Sequence, residues 1–334
     1  MNNGEEQPQL ARDKMAILRV LASANEAAGS QVIARRLNEG YGISLSERAV
    51  RYHLMLLDEL GLTKKLSRRD GRILTERGRE EVQNAMVGDK VGFVIDKIEL
   101  LAYQTTFDPV KRTGQLPVNL SVIPEDLFKP ALKMMAPIFK AGLCMSDMVA
   151  VIPTGKRAGG FCIPAGCVGL ATVCSIVING VLLKEGIPMD SRFGGLLQMQ
   201  NSRPWRFSEL IQYSGSSLDP SEIFIGGRMT TIRQAVQTGE GKIVANFREI
   251  PLASLALAEK VVTRLKAAGI NGPLVVGEPS RPVCEVPVGL NKIGVVLVGG
   301  LNPVAAAIEA GINIGNKAMS RVVDFKDLVS FWDL

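Results

Sequence analysis

The sequence predicts two domains of different fold class: a small winged helix-turn-helix of helices and a β-hairpin, and a larger α/β domain. Up to about residue 88 the chain is charged and helically periodic, whereas from Val91 it has few charges, many glycines and short apolar runs between helix-like segments. With 334 residues, 46% of them hydrophobic, the chain can form two cores. The predicted boundaries are a disordered tail at 1–10, a winged helix at 11–88 and an α/β domain at 89–334.

The winged-helix prediction depends on three short helices followed by a charged hairpin. Ser30 is the expected N-cap of the second helix, and Gly61 is the expected stop of the third. Asp70-Gly71 is a strong signal for a hairpin turn. The predicted elements are helices at Arg12–Ala24, from Ser30 to the glycines at 40 and 42, at Ser46–Leu60 and at Thr75–Val87, with strands at Leu62–Leu66 and Arg72–Leu74.

The third helix and the hairpin carry side chains suited to DNA. The helix face opposite the apolar stripe is polar mainly in its N-terminal half, which meets base edges in such folds. The hairpin tip is basic and suited to phosphates. We therefore expect double-stranded operator DNA as a partner, although a solvated charged face on a small interaction domain would carry the same charges. The predicted DNA-binding residues are Ser46, Glu47, Arg48, Arg51, Tyr52, Lys65, Arg68, Arg69 and Arg72.

The composition argues against several other functions. Five cysteines form no CxxC pair, and the single histidine, His53, stands beside the apolar stripe of the third helix. We therefore expect no metal site, no cofactor and no histidine-based catalysis. No apolar run reaches the roughly 18 residues of a membrane helix, and no signal peptide is evident. The expectation is a reduced, cytoplasmic protein without membrane attachment.

Alternating apolar and glycine-containing segments predict the elements of the α/β domain. Extended segments are predicted at Phe93–Thr106, Met148–Ile152, Gly194–Gln200, Phe207–Tyr213, Lys242–Arg248 and Ile293–Val298. Helices are predicted at Pro124–Ala141, Leu170–Glu185, Thr230–Gln237, Leu252–Ala268 and Pro303–Ala310.

The stretch Gly159–Gly195 is the most distinctive part of this domain. A glycine-rich turn at Ala165–Gly169 precedes the predicted helix Leu170–Glu185, which ends at Gly186. A similar order recurs at Gly299-Gly300, where a turn precedes an apolar helix that also ends in Gly-Ile. This recurrence suggests an internal duplication, although ordinary helix-to-strand turns would produce the same likeness.

The turn and helix predict a site for a small anion. Thr172 and Ser175 fall in or near the expected first helical turn, where free N–H groups and the helix dipole favour a carboxylate or phosphate. Gly169 would let the anion approach the backbone closely. Beyond the helix, Arg192 supplies a charged fork that matches a carboxylate. The alternative is a buried helix with an ordinary loop before it.

Several segments together resemble the NrpR nitrogen repressors of methanogenic archaea. The segments are Gly169–Gly180, Gly186-Ile-Pro, Ser191–Gly195, Ser217–Ile225 and Asn246–Pro251, behind a winged helix. The resemblance covers nearly the whole chain from Arg12 onward. It implies a transcriptional repressor of nitrogen-assimilation genes, with a regulatory α/β domain that senses 2-oxoglutarate.

The resemblance also implies partners, whereas the effector residues follow from the anion argument, with Arg228 and Arg248 added because they lie in or beside the matching segments. Because the chain has room for one regulatory domain after Val91, it resembles the single-domain form that works with a companion repressor subunit, and we expect a homodimer or larger assembly. For Cys174, simple packing in a buried position is the alternative to ligand contact. The predicted effector-binding residues are Gly169, Thr172, Cys174, Ser175, Arg192, Gly194, Arg228 and Arg248.

Two other functions fit parts of the sequence. A metabolic enzyme for a small anionic substrate could be fused to a DNA-binding domain, with Lys156, Asp190 and Glu249 as the available catalytic groups. The α/β domain could instead serve only for dimerisation. Turnover of 2-oxoglutarate would distinguish the enzyme, and a lack of small-molecule binding would favour the scaffold. We expect a regulator rather than an enzyme.

Overall fold

A computed structural model describes residues 8–24, 27–67, 71–83, 92–158 and 161–334, in two compact units, Met1–Lys90 and Val91–Leu334. Predicted tail residues 1–7 and helix residues 84–87 lie outside the described part, whereas Pro8 already begins the first helix. The first unit has a winged-helix arrangement, as predicted. Its elements are α1 (Pro8–Ala24), α2 (Ser30–Tyr41), α3 (Glu47–Glu59), β1 (Thr63–Ser67), β2 (Gly71–Leu74) and α4 (Glu76–Gln83).

Local hydrogen bonds explain where these helices begin and end. Ser46 caps α3, since its Oγ accepts from the Ala49 N–H at 3.2 Å. Gly42 ends α2 with a left-handed φ of 63°. The predicted N-cap of α2 was wrong by one residue, because Gly29 occupies that position. The hydroxyl of Ser30 instead donates to Glu47 Oε1 at 3.0 Å and joins α2 to α3.

The second unit combines helices with two five-stranded sheets. One sheet has the strand order β11-β12-β10-β8-β9 and the other β13-β3-β7-β4-β14, with antiparallel neighbours throughout both. The elements are α5 (Phe93–Gln104), β3 (Gln115–Pro124), α6 (Glu125–Lys140), β4 (Met148–Ile152), β5 (Arg157–Ala158), β6 (Phe161–Cys162), β7 (Cys167–Val173), α7 (Ile176–Lys184), β8 (Asp190–Gln200), β9 (Arg203–Gln212), α8 (Pro220–Gly226), α9 (Ile232–Thr238), β10 (Gly241–Pro251), α10 (Leu255–Ala267), β11 (Val275–Val276), β12 (Lys292–Val298), α11 (Asn302–Glu309), β13 (Gly315–Asp324) and β14 (Val329–Ser330).

The unit consists of two halves with the same topology. Each half contributes a strand, a helix, two strands, a helix and a final strand: β3, α6, β4, β7, α7, β8, and then β10, α10, β11, β12, α11, β13. In each half the final strand joins the other half's sheet, so that β8 pairs with β10 and β13 pairs with β3. Helices α7 and α11 also end alike, at Gly186 and Gly311 with φ of 76° and 93°. The recurrence noted in the sequence therefore corresponds to a repeated fold with exchanged strands.

Two sequence predictions for this unit were wrong. Phe93–Thr106 is not extended but forms α5, which buries Val94, Ile98 and Leu101 at helical spacing. The predicted helix Leu170–Glu185 is a strand up to Val173 and a helix only from Ile176. Strand β7 lies between β3 and β4, and residues 169–173 are buried without alternation. A strand covered on both faces has a continuous apolar pattern that periodicity does not distinguish from a helix.

Strands β3 and β13 and helix α8 had not been predicted. Among the described residues, no helix has the length and apolarity needed to cross a membrane.

Candidate functional site

The first candidate site is the exposed face of α3 with the adjoining strand β1. Arg48, Arg51 and Tyr52 are exposed on this helix, and Tyr52 shows 54% of its surface. Arg51 Nη2 lies 3.7 Å from Glu47 Oε1 in a solvent-exposed pair, and 62% of the Arg51 side chain is exposed. Lys65 is exposed on β1. The face therefore offers cationic and aromatic groups for a nucleic acid, as the sequence predicts.

Other predicted DNA contacts have different positions. Arg72 donates from Nε to Asp58 Oδ2 at 2.7 Å, and only 20% of its side chain is exposed. This ion pair has a structural role, because the same Asp58 also accepts from Thr63 and fixes the base of the hairpin, and the phosphate contact of Arg72 stays a prediction. Arg68 and Arg69 lie outside the described residues. Ser46 serves as the N-cap of α3, and Glu47 accepts from Ser30.

His53 is buried on α3 at 6% exposure, and burial lowers its pKa. This position agrees with packing in the core rather than with catalysis.

The second candidate site is a small cavity where the two halves of the α/β unit meet. It lies at the junction of β7 with α7 and at the matching junction of β12 with α11, so the N-terminal ends of two helices border it. Free N–H groups at helix N-termini favour anions. The cavity has a volume of about 20 Å³ and is lined by Ile98, Asn119, Cys174, Ser175, Ile176, Tyr213, Asp219, Ser221, Val244, Asn246, Arg248, Gly299, Gly300, Leu301, Ala318 and Met319.

Arg248 of β10 gives this cavity its character. Its side chain is 1% exposed, and one guanidinium nitrogen, Nη2, donates to Ser175 Oγ at 3.1 Å. Its Nε and Nη1 have no hydrogen-bond partner. Burial lowers the pKa of Arg248, but a guanidinium stays charged in proteins. Among the described residues no carboxylate lies within ion-pair distance of it, although the Asp219 carboxylate lines the same cavity and its charge acts to raise the pKa of Arg248. The site therefore holds a buried cation with two unused donors.

A polar network holds Arg248 in place. Ser175 Oγ also accepts from Asn246 Nδ2 at 3.2 Å, and Asn246 Oδ1 accepts from the Tyr213 hydroxyl. Burial raises the pKa of Tyr213, so its hydroxyl stays protonated near neutrality. Burial likewise raises the pKa of the Cys174 thiol to about 11, so this cysteine is a neutral wall of the cavity. Arg248 is therefore the charged member of this hydrogen-bonded network.

The opposite wall is formed by an irregular part of β13. The pairing of β13 with β3 shifts between Lys317 and Arg321, and Met319 has a left-handed φ of 49°. The Met319 N–H donates to Asn119 Oδ1 at 3.0 Å. Asn119 in β3 and Asn246 in β10 occupy equivalent positions. Asn119 follows Val118, which pairs with the last residue of β7, Val173, and Asn246 follows Ala245, which pairs with the last residue of β12, Val298. The two halves thus contribute equivalent asparagines to one cavity.

Comparisons with known proteins agree with this two-part architecture. Residues 91–330 match the family model "NrpR regulatory domains NRD1 and 2", and residues 15–82 match the ribonuclease R winged-helix domain. The chain belongs to the NrpR family. It is 37% identical to the global nitrogen regulator NrpRI of Methanosarcina mazei, over 96% of this chain and 98% of that protein.

Two longer NrpR relatives and one solved structure are also similar. The global nitrogen regulators NrpR of Methanocaldococcus jannaschii and Methanococcus maripaludis are 31% and 32% identical, over 96% and 93% of this chain. The chain spans only about half of their length, 55% and 54%. A crystal structure of a nitrogen repressor-like protein from Methanococcus jannaschii matches 72% of this chain and 98% of that one, with 28% identity and a TM-score of 0.61.

Within this NrpR fold, some of the predicted effector residues come together. Cys174, Ser175 and Arg248 line the cavity. Gly194 stands beside it, because a Cβ at this position would lie 3.0 Å from the Tyr213 hydroxyl oxygen. Their role in effector binding remains a prediction.

The other predicted effector residues lie elsewhere. Gly169 packs against Ile163 and Ile152 near the start of β7. The first two residues of the stretch Gly159–Gly195 lie outside the described residues. Thr172 is the second-to-last residue of β7 rather than part of a helical turn, and its buried Oγ1 has no partner. Arg228 is exposed after α8. These three positions do not line the Arg248 cavity.

Arg192 borders a different and larger cavity of about 750 Å³. Its Nη1 lies 3.3 Å from Asp190 Oδ2, and its Nε lies 3.7 Å from Glu249 Oε2. Lys292 lies 3.0 Å and 2.9 Å from the same two carboxylates. The two cations and two anions neutralise one another. Arg192 therefore lacks the uncompensated charge that an anion site requires.

The same cluster contains two of the three groups considered for catalysis. Asp190 and Glu249 are held in ion pairs, while Lys156 is exposed beside the β5–β6 hairpin. The three side chains do not form one site. Among the described residues there is also no group of three metal-ligating side chains.

Sequence reasoning missed Asn119, Tyr213, Asp219 and Asn246 as cavity residues. The two asparagines carried a usable signal, because a polar side chain within an otherwise apolar strand must find partners. Asn246 even begins one of the segments on which the family resemblance depends. Tyr213 carried no such signal, since it follows strand β9 in a connecting segment, whereas Asp219 lies in the family segment Ser217–Ile225 but was not named.

Proposed function

We propose that this chain is a transcriptional repressor of nitrogen-assimilation genes, which binds operator DNA through the winged helix and releases it when 2-oxoglutarate occupies the Arg248 cavity. Membership of the NrpR family and the regulator names of its relatives support the nitrogen-regulation part. The exposed Arg48, Arg51, Tyr52 and Lys65 support the DNA-binding part. The effector part depends mainly on a single observation, the buried Arg248.

Arg248 supports an anionic effector because a buried unpaired cation is costly. Its Nε and Nη1 carry N–H groups without an acceptor in the protein, so a carboxylate that reaches the guanidinium can accept a charge-assisted hydrogen bond from it. The second carboxylate of a dianion needs further donors, and the N-terminal ends of α7 and α11 border the same cavity. A dicarboxylate such as 2-oxoglutarate therefore fits the charge and donor pattern.

The volume of the cavity supports a switch rather than a passive site. A volume of about 20 Å³ is room for about one water molecule. A five-carbon dicarboxylate is larger, so its binding must separate the walls contributed by the two halves. A ligand that binds only the opened state shifts the population toward that state. We propose that the opened state holds operator DNA less tightly.

Operator binding with and without 2-oxoglutarate tests the proposal directly. The full-length protein is titrated onto promoter fragments of nitrogen-assimilation genes, and glutarate, which lacks the keto group, serves as the control ligand. We expect 2-oxoglutarate to weaken operator binding roughly 5- to 150-fold, a coupling of about 1–3 kcal/mol. Operator affinity that is the same with and without 2-oxoglutarate would refute the effector part. Consumption of 2-oxoglutarate would favour an enzyme.

The DNA-binding part has its own test. Arg51→Ala should reduce discrimination between operator and mutated operator by about 1–3 kcal/mol if Arg51 contacts a base. Lys65→Ala should weaken binding to all DNA and reduce the salt dependence. Arg79→Ala, in an exposed pair on α4, is the control. If neither Arg51→Ala nor Lys65→Ala changes DNA binding, another face carries the activity.

We further propose a homodimer or larger assembly, aided by a companion repressor subunit. One winged helix covers few base pairs, whereas a dimer reads paired half-sites about 10 base pairs or a multiple apart. Light scattering of the protein with and without operator gives the stoichiometry. A monomer that binds operator one-to-one would contradict the assembly.

A further inference from the structure

The irregular segment of β13, residues 318–320, forms part of the Arg248 cavity and is held by side chains rather than by a neighbouring strand. Ala318 and Met319 line the cavity and are 2% and 5% exposed. The β13–β3 pairing is interrupted here, between Lys317 and Arg321. Strand β10, which contributes Val244, Asn246 and Arg248 to the cavity, is paired on both sides, with one register shift against β8 between Phe247 and Arg248. Segment 318–320 is therefore the wall that costs least to displace.

Two oppositely charged side chains hold the backbone of Ala318. The Lys97 ammonium on α5 donates to the Ala318 carbonyl oxygen at 3.4 Å. The Ala318 N–H donates to Glu222 Oε1, on α8, at 2.5 Å. Both charged groups are partly buried, and burial lowers the pKa of Lys97 and raises that of Glu222. The Glu222 bond is short and charge-assisted, whereas the Lys97 contact is longer than the usual N–H···O distance of about 2.9 Å and is the weaker of the two.

These bonds connect the cavity wall to two helices. Lys97 precedes Ile98, which itself lines the cavity, and α5 is the first helix after the boundary between the two units. Helix α8 begins at Pro220, and the preceding cavity residue Asp219 caps it, because its carboxylate accepts from the N–H groups of Ser221 and Glu222. A displacement of Ala318 must therefore move α5, move α8 or break one of the two bonds.

We propose that Lys97 and Glu222 form a latch on Ala318 that couples occupancy of the Arg248 cavity to the position of α5. This inference rests on the proposed function for its ligand. When a dicarboxylate widens the cavity, segment 318–320 moves outward and carries Lys97 with it. Lys97 and Glu222 are positioning residues, because their contacts are with the wall. The coupling runs along the chain, since α5 directly follows the boundary that leads to the winged helix.

If the latch exists, variants that lack it should bind 2-oxoglutarate and operator DNA, but 2-oxoglutarate should no longer weaken operator binding. Lys97→Met keeps the aliphatic length and removes the donor, and Glu222→Ala removes the acceptor on the other side of the latch. We expect both to bind 2-oxoglutarate and operator within about 3-fold of wild type, while operator release falls from the wild-type 5- to 150-fold to under about 2-fold. Lys97→Arg, which keeps a donor, should release operator normally. Lys129→Met, an exposed lysine on α6, is the matched control.

Amide hydrogen exchange provides a second readout on the full-length protein. On adding 2-oxoglutarate to wild type, exchange should change in both 315–324 and 93–104. In Lys97→Met the change in 315–324 should remain and the change in 93–104 should disappear. Normal operator release by both Lys97→Met and Glu222→Ala, or an unchanged response of 93–104 in Lys97→Met, would overturn the latch.

The latch and the proposed function fail in different ways. If wild type binds no 2-oxoglutarate, the effector proposal falls, and the latch is tested without ligand. Loss of the Lys97 donor should then accelerate exchange in both 93–104 and 315–324 by several-fold, whereas Lys129→Met should leave both unchanged. Equal rates in wild type and Lys97→Met would refute the latch independently of the ligand.

Discussion

Arg248 and Arg192 lie on the paired strands β10 and β8, yet their surroundings are opposite. Phe247 pairs with Phe193 and Arg248 with Ser191, and the register shift between them leaves Arg192 without a partner in the ladder. Arg192 has 54% of its side chain exposed and contacts two carboxylates. Arg248 is buried and has one hydroxyl partner. An arginine near a glycine-rich motif therefore indicates an anion site only where no carboxylate forms an ion pair with it.

The same comparison explains why the smaller cavity is the better candidate for the effector. The cavity beside Arg192 is about 750 Å³ and could hold a dicarboxylate without any movement. It offers no unpaired cation, however, whereas the cavity of about 20 Å³ at Arg248 does. The unpartnered donors of Arg248 therefore favour the smaller cavity, whereas the volume needed for a dicarboxylate favours the larger one. For a regulator the mismatch is useful, because a ligand that must open its site changes the protein as it binds.

The strongest test of this contrast is Arg248→Gln. The substitution removes the only charged donors of the network, so 2-oxoglutarate binding should weaken by about 2–5 kcal/mol, measured by calorimetric titration. Operator binding should persist, which would give a repressor that does not respond to ligand. Without ligand the α/β unit should not lose stability, because an uncompensated buried charge has been removed. Ligand affinity equal to that of wild type would place the anion elsewhere.

The next largest effect is expected at the junction opposite Ser175. A Cβ on Gly300 would lie 2.2 Å from the Val173 carbonyl oxygen and 2.7 Å from Asn119 Nδ2, so Gly300→Ala must push the two junctions apart. We expect a loss of about 1–3 kcal/mol in the free energy of unfolding. Gly226→Ala is the control, since no atom lies within 4 Å of its Cβ position. Both tryptophans lie in the α/β unit, so their fluorescence follows its unfolding by denaturant. Equal stability of the two variants would show that the junctions are loosely packed.

The wrong predictions share one physical cause, which is that burial is set by partners far away in the chain. Strand β7 was predicted as helix because it is apolar on both faces, and only its place between β3 and β4 explains that pattern. Arg248 was predicted as an effector-binding residue only because it lies in Asn246–Pro251, one of the segments that resemble the NrpR family. Its burial follows from the exchange of final strands between the halves, which no local pattern encodes.

The predictions that were confirmed depend on local rules. The bounds of α3, the end of α2 at its glycines and the hairpin β1–β2 follow from short segments whose chemistry is set by their own residues. The winged helix is built from such segments, so its helices and hairpin could be predicted from the sequence. The cavity instead combines residues from both halves, and only its motif-bearing members, Cys174, Ser175 and Arg248, were found in advance.

A smaller effect should follow from removing the hydroxyl that holds Arg248. Ser175→Ala leaves Arg248 Nη2 and Asn246 Nδ2 without their acceptor, which should reduce the free energy of unfolding by about 1–2 kcal/mol. Thr172→Val is the matched control, because the buried Thr172 Oγ1 has no partner to lose. That variant should be as stable as wild type or more so. If Thr172→Val weakens 2-oxoglutarate binding more than Ser175→Ala does, the anion contacts β7 rather than the β7–α7 junction.

The smallest effect on ligand binding and stability is expected from Arg192→Gln. The difference from the large effect expected of Arg248→Gln distinguishes the two arginines. The substitution removes a half-exposed cation, and Lys292 remains 3.0 Å from Asp190 and 2.9 Å from Glu249 to balance both carboxylates. Exposed ion pairs typically contribute about 0–1 kcal/mol, so the unfolding free energy should change by less than that. Affinity for 2-oxoglutarate and the extent of operator release should stay within about 2-fold of wild type, since a neutralised arginine offers an anion little. Calorimetry and operator titration on Arg192→Gln and Arg248→Gln side by side decide between the sites. Loss of ligand binding in Arg192→Gln with retention in Arg248→Gln would move the effector to the larger cavity and remove the need for the smaller one to open.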